Sequence, residues 1–282
     1  MNKKLLALYG LAFNPFAPDV PTEALHLTTP VESFFWKVQQ GVLREGGFAL
    51  ITGEPGTGKS VTLRLLSRQL AEEPELHVGV ISRPQASVAD FYREMGELFG
   101  VPLRPHNRWG GSKLLRQRWD EHIEQTLMRP VLLLDEAQQT SAAVLNELRL
   151  LGSSRFDSRQ ILTVVLSGDL RLPERFRHED LLPLGSRIRM RLALQPASAE
   201  DLRTTLKHLM STAGNSALMT PDLIATLCEH ALGNYRVLMT LSGELLAAAA
   251  QKELPQIDEQ LYFELFAIHQ PAKPRSALRA GA

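Results

Sequence analysis

Two short runs carry the residues that could do chemistry. The stretch "GEPGTGKS", Gly53 to Ser60, satisfies the spacing G-x-x-x-x-G-K-[ST] in full. In such a loop the glycines let backbone N–H groups turn inward around phosphate oxygens. Lys59 then reaches the β and γ phosphates of ATP, and Ser60 holds Mg²⁺. The expected cradle is Gly53, Glu54, Pro55, Gly56, Thr57, Gly58, Lys59, Ser60 and the adjoining Val61. The second run, "VLLLDEAQ", sets Asp135 and Glu136 directly after four apolar residues. Asp135 is expected to hold Mg²⁺, directly or through water. Glu136 is placed to orient or deprotonate an attacking water, which implies hydrolysis rather than binding alone. A buried carboxylate pair without such a role would repel itself and need partners. A third tip, "LSGD", offers a polar group to sense the γ-phosphate. Ser167 is the first choice and Asp169 the second, and the alternative is a plain glycine turn.

These groups need elements to position them. Apolar runs at "GFALIT" (47–52), "HVGVIS" (77–82), "PVLLLDE" (130–136) and "QILTVVLSGD" (160–169) alternate with amphipathic helical stretches. Continuous apolar strands between helices predict a parallel sheet covered on both faces, a doubly wound α/β architecture. Ligands in such sheets bind at the carboxyl ends of the strands, so the phosphate loop and both carboxylates share one edge. A last strand, "RIRMRLAL", alternates Arg187, Arg189 and Arg191 with Ile188, Met190 and Leu192. That is the pattern of a half-buried strand. After Pro196 the character changes to four helical segments without a strand candidate. Ser198 and Thr220 are expected N-caps, with Gly214 and Gly233 as stops. The expected division is an α/β domain over residues 1–196, a helical lid over 197–267 and a disordered tail over 268–282.

The chain of 282 residues balances 31 Lys and Arg against 31 Asp and Glu, so no global field draws it to nucleic acid. Its single cysteine, Cys228, excludes an intrachain disulfide and fits a reducing compartment. No run approaches the roughly 18 apolar residues of a membrane span. The opening "MNKKLLALYGLAF" lacks a small-residue cleavage pattern and is not read as a signal peptide, so a cytoplasmic location is expected.

With these residues in place, about residues 9 to 267 resemble an AAA+ ATPase. The resemblance implies a P-loop NTPase with a five-stranded parallel sheet followed by a small all-helical lid. "GNYRVLMTL" resembles the family's sensor-two motif, which assigns Arg236 to the γ-phosphate. "GSRI" resembles its trans-acting arginine motif, which makes Arg187 a finger for a neighbouring subunit and implies a homo-oligomer, ring or filament. Within the family, the "NPF" opening and the "LLLDEAQ…LNELRLL" block look like the ExeA/GspA and TnsC-type group. There the "NPF" segment lies against the base, so Phe13, Pro15 and Phe16 become candidate adenine contacts, with an ordinary core role as the alternative.

The secretion-associated members continue into a membrane span, whereas this chain stops after the lid, which makes it look more like the transposition regulators. The resemblance then implies assembly on double-stranded DNA and recruitment or activation of a transposase or target selector, with no membrane contact. The alternative is an ExeA/GspA-like ATPase that assists assembly of a secretion or membrane complex, and a third reading is a nucleotide-gated switch that barely hydrolyses. Between Val101 and Trp119 stand Arg104, Arg108, Lys113, Arg116 and Arg118 with no acidic residue. This stripe is a candidate DNA-backbone contact. It reads equally as a solvated helix face answering the acids of "DEHIE".

Overall fold

The computed structural model describes residues 2–42, 45–83, 87–101, 108–154 and 159–266. The expected tail over 268–282 and the basic residue Arg104 lie outside the described residues. Of Arg108 only its place as the first residue of a helix is described.

Five strands form one sheet: β1 (Gly47–Gly53), β2 (Leu76–Ile81), β3 (Arg129–Leu134), β4 (Thr163–Gly168) and β5 (Ile188–Leu194). Their spatial order is β2-β3-β4-β1-β5, and every pairing is parallel. Position in the sheet explains each strand's composition. The inner strands β1 and β4 are buried throughout, because helices cover both faces. The outer strand β5 keeps the alternation of Ile188 and Leu192 inward with Arg189 and Arg191 outward. The pleat sends alternate side chains into two cores. Phe48 and Leu50 of β1 face a core with Phe91, Trp119, Leu132 and Leu148. Ala49 and Ile51 face the other, with Phe34, Phe35, Leu66 and Val165.

The run expected as one strand over 160–169 is divided. Arg159–Gln160 pairs antiparallel with Ser153–Ser154, and the sheet strand starts only at Thr163. Between them Ile161 donates its backbone N–H to Gly152, so the chain turns a corner before it joins the sheet. The long helix expected over 112–128 runs Arg108–Thr126.

Twelve α-helices occur among the described residues, and those at the site are α1 (Asn2–Tyr9), α2 (Thr29–Lys37), α3 (Lys59–Ala71), and the helical unit after β5. That unit holds four helices: Ala199–Ala213, Pro221–Ala231, Tyr235–Gln251 and Glu259–Phe266. Ser198 starts the first with a full capping box against Asp201. Thr220 caps the second, with Pro221 at its first position. Gly214 ends the first in a left-handed conformation, while Leu232, also left-handed, ends the second one residue before Gly233. Buried Cys228 packs into this unit.

One boundary moves. The division at Pro196 assigns the N-terminus to the sheet, but Tyr9, Leu11 and Phe16 belong to the core of the helical unit. Hydrogen bonds fix them there: the Ala12 backbone N–H donates to the Ala213 carbonyl, and the Asn215 side-chain amide donates to the Tyr9 carbonyl at 2.9 Å. The chain then crosses to the sheet, where Val31, Phe34 and Phe35 of α2 pack beside β1.

Candidate nucleotide site

β1 ends at Gly53, α3 begins at Lys59, and the phosphate loop is the turn between them. Gly56 and Gly58 sit at φ +85° and +95°, a backbone region that side chains disfavour. The Thr57 hydroxyl donates to the Glu54 carbonyl at 2.8 Å and closes the turn. Lys59 is buried and its ammonium donates to the Gly53 and Glu54 carbonyls at 3.0 and 2.9 Å. The lysine is thus held inside the loop's curve, where a phosphate would exchange those carbonyls for its own oxygens.

The loop opens into a cleft of about 1190 Å³. Pro55 to Val61 form its floor, with Glu136, Gln138, Asp169 and Arg171 on the sheet side. Asp201, Tyr235, Arg236 and Met239 of the helical unit close it from the other side, and Phe16, Val20 and His26 of the N-terminal segment close its far end. Two backbone-level contacts join loop to helical unit. The Tyr235 N–H donates to the Gly56 carbonyl at 3.0 Å, and the Asn234 amide donates to the Pro55 carbonyl at 3.1 Å. Asn234 also caps the helix Tyr235–Gln251 by accepting from the N–H groups of Arg236 and Val237. The N-terminal segment is strapped over α3 by Arg64, whose guanidinium donates to the carbonyls of Pro18 and Val20.

The acidic pair follows β3. Asp135 accepts at Oδ1 from its neighbour's backbone N–H and from the Ser167 hydroxyl, both at 2.9 Å. Glu136 adopts a left-handed backbone at φ +50° and starts a 3-10 turn, which swings its side chain away from Asp135 and into the cleft. Asp169 meets Arg171 in a two-oxygen contact, accepting from its backbone N–H and its guanidinium. The hydrogen bond from Arg171 holds the Asp169 carboxyl below the usual carboxylate range.

The residues singled out from sequence distribute as follows. The loop from Pro55 to Val61, Glu136, Arg236 and Phe16 line one cleft. Gly53, Asp135 and Ser167 are not among its lining residues, and Ser167 is fully buried and donates to Asp135, so Asp169 is the tip residue that lines the cleft. Phe13 and buried Pro15 stay outside the lining, and Phe13 packs on the helical core. Arg187 precedes the outer strand β5, does not line its own chain's cleft, and donates to the Pro183 carbonyl. In the basic stripe, Lys113 lies over the exposed Trp109 ring at 5.3 Å, and Arg116 donates to the Ser153 carbonyl. The acids downstream answer another residue: Asp120 and Glu124 pair with Arg159. Sequence reasoning missed Gln138, Arg171, Asn234 and Tyr235, whose roles depend on elements distant in the chain.

The comparisons with known proteins agree with this fold. A model described as "AAA domain" matches residues 42–176. The chain carries an AAA domain. General secretion pathway protein A of Aeromonas hydrophila is 31% identical over 245 residues, which is 86% of this chain but 44% of that protein. The AAA-domain chain therefore spans less than half the length of the curated relative it matches. Its fold matches a Cdc6p from Pyrobaculum aerophilum at 18% identity and a TM-score of 0.69, over 86% of this chain and 67% of that one. An ORC2 protein of Aeropyrum pernix matches with a TM-score of 0.69 at 16% identity, covering 92% and 72% of the two chains. Domain III of the replication initiation protein DnaA of Thermotoga maritima matches with a TM-score of 0.62 at 16% identity, covering 90% and 98%. The likeness to these structures is one of fold. Among the described residues, no helix is long and apolar enough to cross a membrane.

Proposed function

We propose that this chain binds ATP with Mg²⁺ in the cleft and hydrolyses it, and that turnover drives assembly of a secretion complex through a protein partner. One observation carries the hydrolytic part: Glu136 lines the same cleft as the loop that holds Lys59 and Ser60. The loop's N–H groups and Lys59 bind the phosphates, and Arg236 at the start of a helix adds a second cation from the opposite wall. The Ser60 hydroxyl and Asp135 carboxylate are hard oxygen donors of the kind Mg²⁺ takes, with Oδ1 of Asp135 already steadied by Ser167. Bound there, Mg²⁺ would neutralise charge that develops on the phosphate oxygens. Glu136 accepts the proton of the attacking water, Asp169 with Arg171 flanks it, and the N-terminal Phe16 borders the end where a base would lie. Division of the chain into α/β and helical units lets the two walls close on a nucleotide. Arg187, on the outer edge of the sheet and away from its own cleft, suits a finger for a neighbouring subunit of a homo-oligomer.

The name of the curated relative supports secretion over transposition as the use of this turnover. The expectation of a DNA-bound transposition regulator rested on the end of the chain and on the basic stripe. The first carries little weight beside a relative of which the match covers only 44%, and in the second Arg116 is already engaged. The test compares steady-state ATP hydrolysis of the wild type and Glu136→Gln, each with and without duplex DNA. Turnover that collapses in Glu136→Gln and ignores DNA supports the proposal. Wild-type rates in the variant remove the hydrolytic reading, and ATP-dependent assembly on DNA replaces secretion with transposition.

A further inference from the structure

Glu136 does not stand alone at the end of β3. Its carboxylate accepts from the Gln138 side-chain amide at 2.6 Å and from that of Gln139 at 3.3 Å. Both donors land on one oxygen, Oε2. Among the described residues Oε1 takes no hydrogen bond. Gln138 is held in turn from two directions. Its Oε1 accepts from the Asp169 backbone N–H at 3.2 Å, and its backbone carbonyl accepts from Arg175. The neighbouring carbonyl of Thr140 takes the second Arg175 nitrogen at 3.0 Å.

The chemistry of the partners fixes which way the Gln138 amide points. A carboxylate can only accept and a backbone N–H can only donate, so the NH₂ must face Glu136 and the oxygen must face Asp169. Gly168 leaves the room for this. A Cβ there would lie 2.6 Å from Gln138 Oε1. The side chain therefore crosses from the tip of β3 to the tip of β4, and ties a flexible carboxylate to rigid sheet backbone. Glu136 needs such a tie, because its left-handed backbone conformation and short 3-10 turn offer little restraint of their own.

We propose that Gln138 is the positioning residue for Glu136, fixing Oε2 and presenting Oε1 as the oxygen that accepts the proton of water. In that step the water oxygen adds to the γ-phosphorus, its proton passes to Oε1, and the bond to the ADP oxygen breaks. The inference rests on the reading of Glu136 as the base.

The experiment measures kcat, KM and fluorescent-nucleotide affinity for wild type, Gln138→Leu, Gln139→Ala and Glu136→Gln. Gln138→Leu keeps the side chain's bulk and loses both hydrogen bonds. Its kcat is expected to fall about tenfold to a hundredfold, the scale of a misplaced catalytic group. KM and nucleotide affinity stay at the wild-type values, which also reports the fold, so the loss falls on kcat alone. Gln139→Ala, whose bond is long and exposed, loses less. The inference is overturned if Gln138→Leu keeps kcat within twofold of wild type, or if Gln139→Ala costs as much. Loss of nucleotide binding in Gln138→Leu also overturns it, because the residue would then be building the cleft rather than aiming the base. Glu136→Gln separates the two readings: normal turnover there removes the base itself, whereas a dead Glu136→Gln beside a normal Gln138→Leu removes only the role of Gln138.

Discussion

Asn234 joins two functions in one side chain, and two substitutions separate them. Its Oδ1 caps the helix Tyr235–Gln251 by accepting from two backbone N–H groups, and its Nδ2 donates to the Pro55 carbonyl of the phosphate loop. Asn234→Ala removes both. Loss of an N-cap side chain costs about 1 kcal/mol. Loss of a neutral hydrogen bond between polar groups costs about 1 kcal/mol more. For a protein of this size, a total of about 2 kcal/mol corresponds to a fall in Tm of roughly 4 to 8 °C. Asn234→Asp keeps the capping acceptor and adds negative charge at a helix N-terminus, worth about 0.3–1 kcal/mol in the stabilising direction. It cannot donate to Pro55, and it sets a carboxylate beside a loop built for phosphate. The expected pattern is therefore opposite in the two assays. Thermal unfolding ranks Asn234→Asp near the wild type and Asn234→Ala well below it, whereas nucleotide titration ranks Asn234→Asp lowest. The reasoning is refuted if Asn234→Ala melts within 1 °C of wild type (about the resolution of the assay), or if Asn234→Asp loses as much stability as Asn234→Ala.

Arg187→Ala is expected to remove ATP turnover while nucleotide affinity stays at the wild-type value, and mixing it with a Lys59→Ala variant should restore part of the turnover; steady-state rates of the mixture check this. Phe16→Ala empties a site shared by the helical core and the cleft, so stability should fall by about 3–5 kcal/mol, measured by chemical denaturation. His26 is the pH-sensitive element of the cleft's far end. Burial, then the charge of His208 whose ring lies 5.4 Å away, push its pKa below the usual histidine range, and Asp201 opposes them. The unfolded chain then binds the proton more readily than the folded one below about pH 6.5, so stability is full above that value and falls as pH drops. Melting temperatures between pH 5 and 7.5 should show a flatter profile for His26→Phe, and an unaltered slope would assign the effect elsewhere.

The parts of this molecule that could be read from sequence are those whose signal is local. A strand buried on both faces must be apolar throughout, so β1, β3 and β4 announce themselves, and a phosphate loop needs its glycines and lysine at fixed spacing. The parts that escaped depend on register between distant segments. Leu134 pairs with Leu166, which sets Asp135 level with Ser167 and turns a candidate sensor into a buried support. No property of "LSGD" alone contains that alignment. Gln138 meets Asp169 only because β3 and β4 are neighbours, and the Tyr9–Phe16 stretch reaches the helical core only after the chain has been folded through some two hundred intervening residues. The split before β4 arose from a corner at Ile161, where the apolar pattern continues although the strand does not.

The route of the N-terminal segment has a mechanical consequence. The backbone passes between the helical unit and the sheet at two separate places: by the stretch from Phe16 to α2, strapped down by Arg64, and by the stretch from Leu194 to Ser198. A body attached at one point can swing in any direction, but two attachments leave it a single easy rotation about the line between them. Any rotation of the helical unit on the sheet would therefore follow one arc, and a force applied through it would act along one direction rather than many.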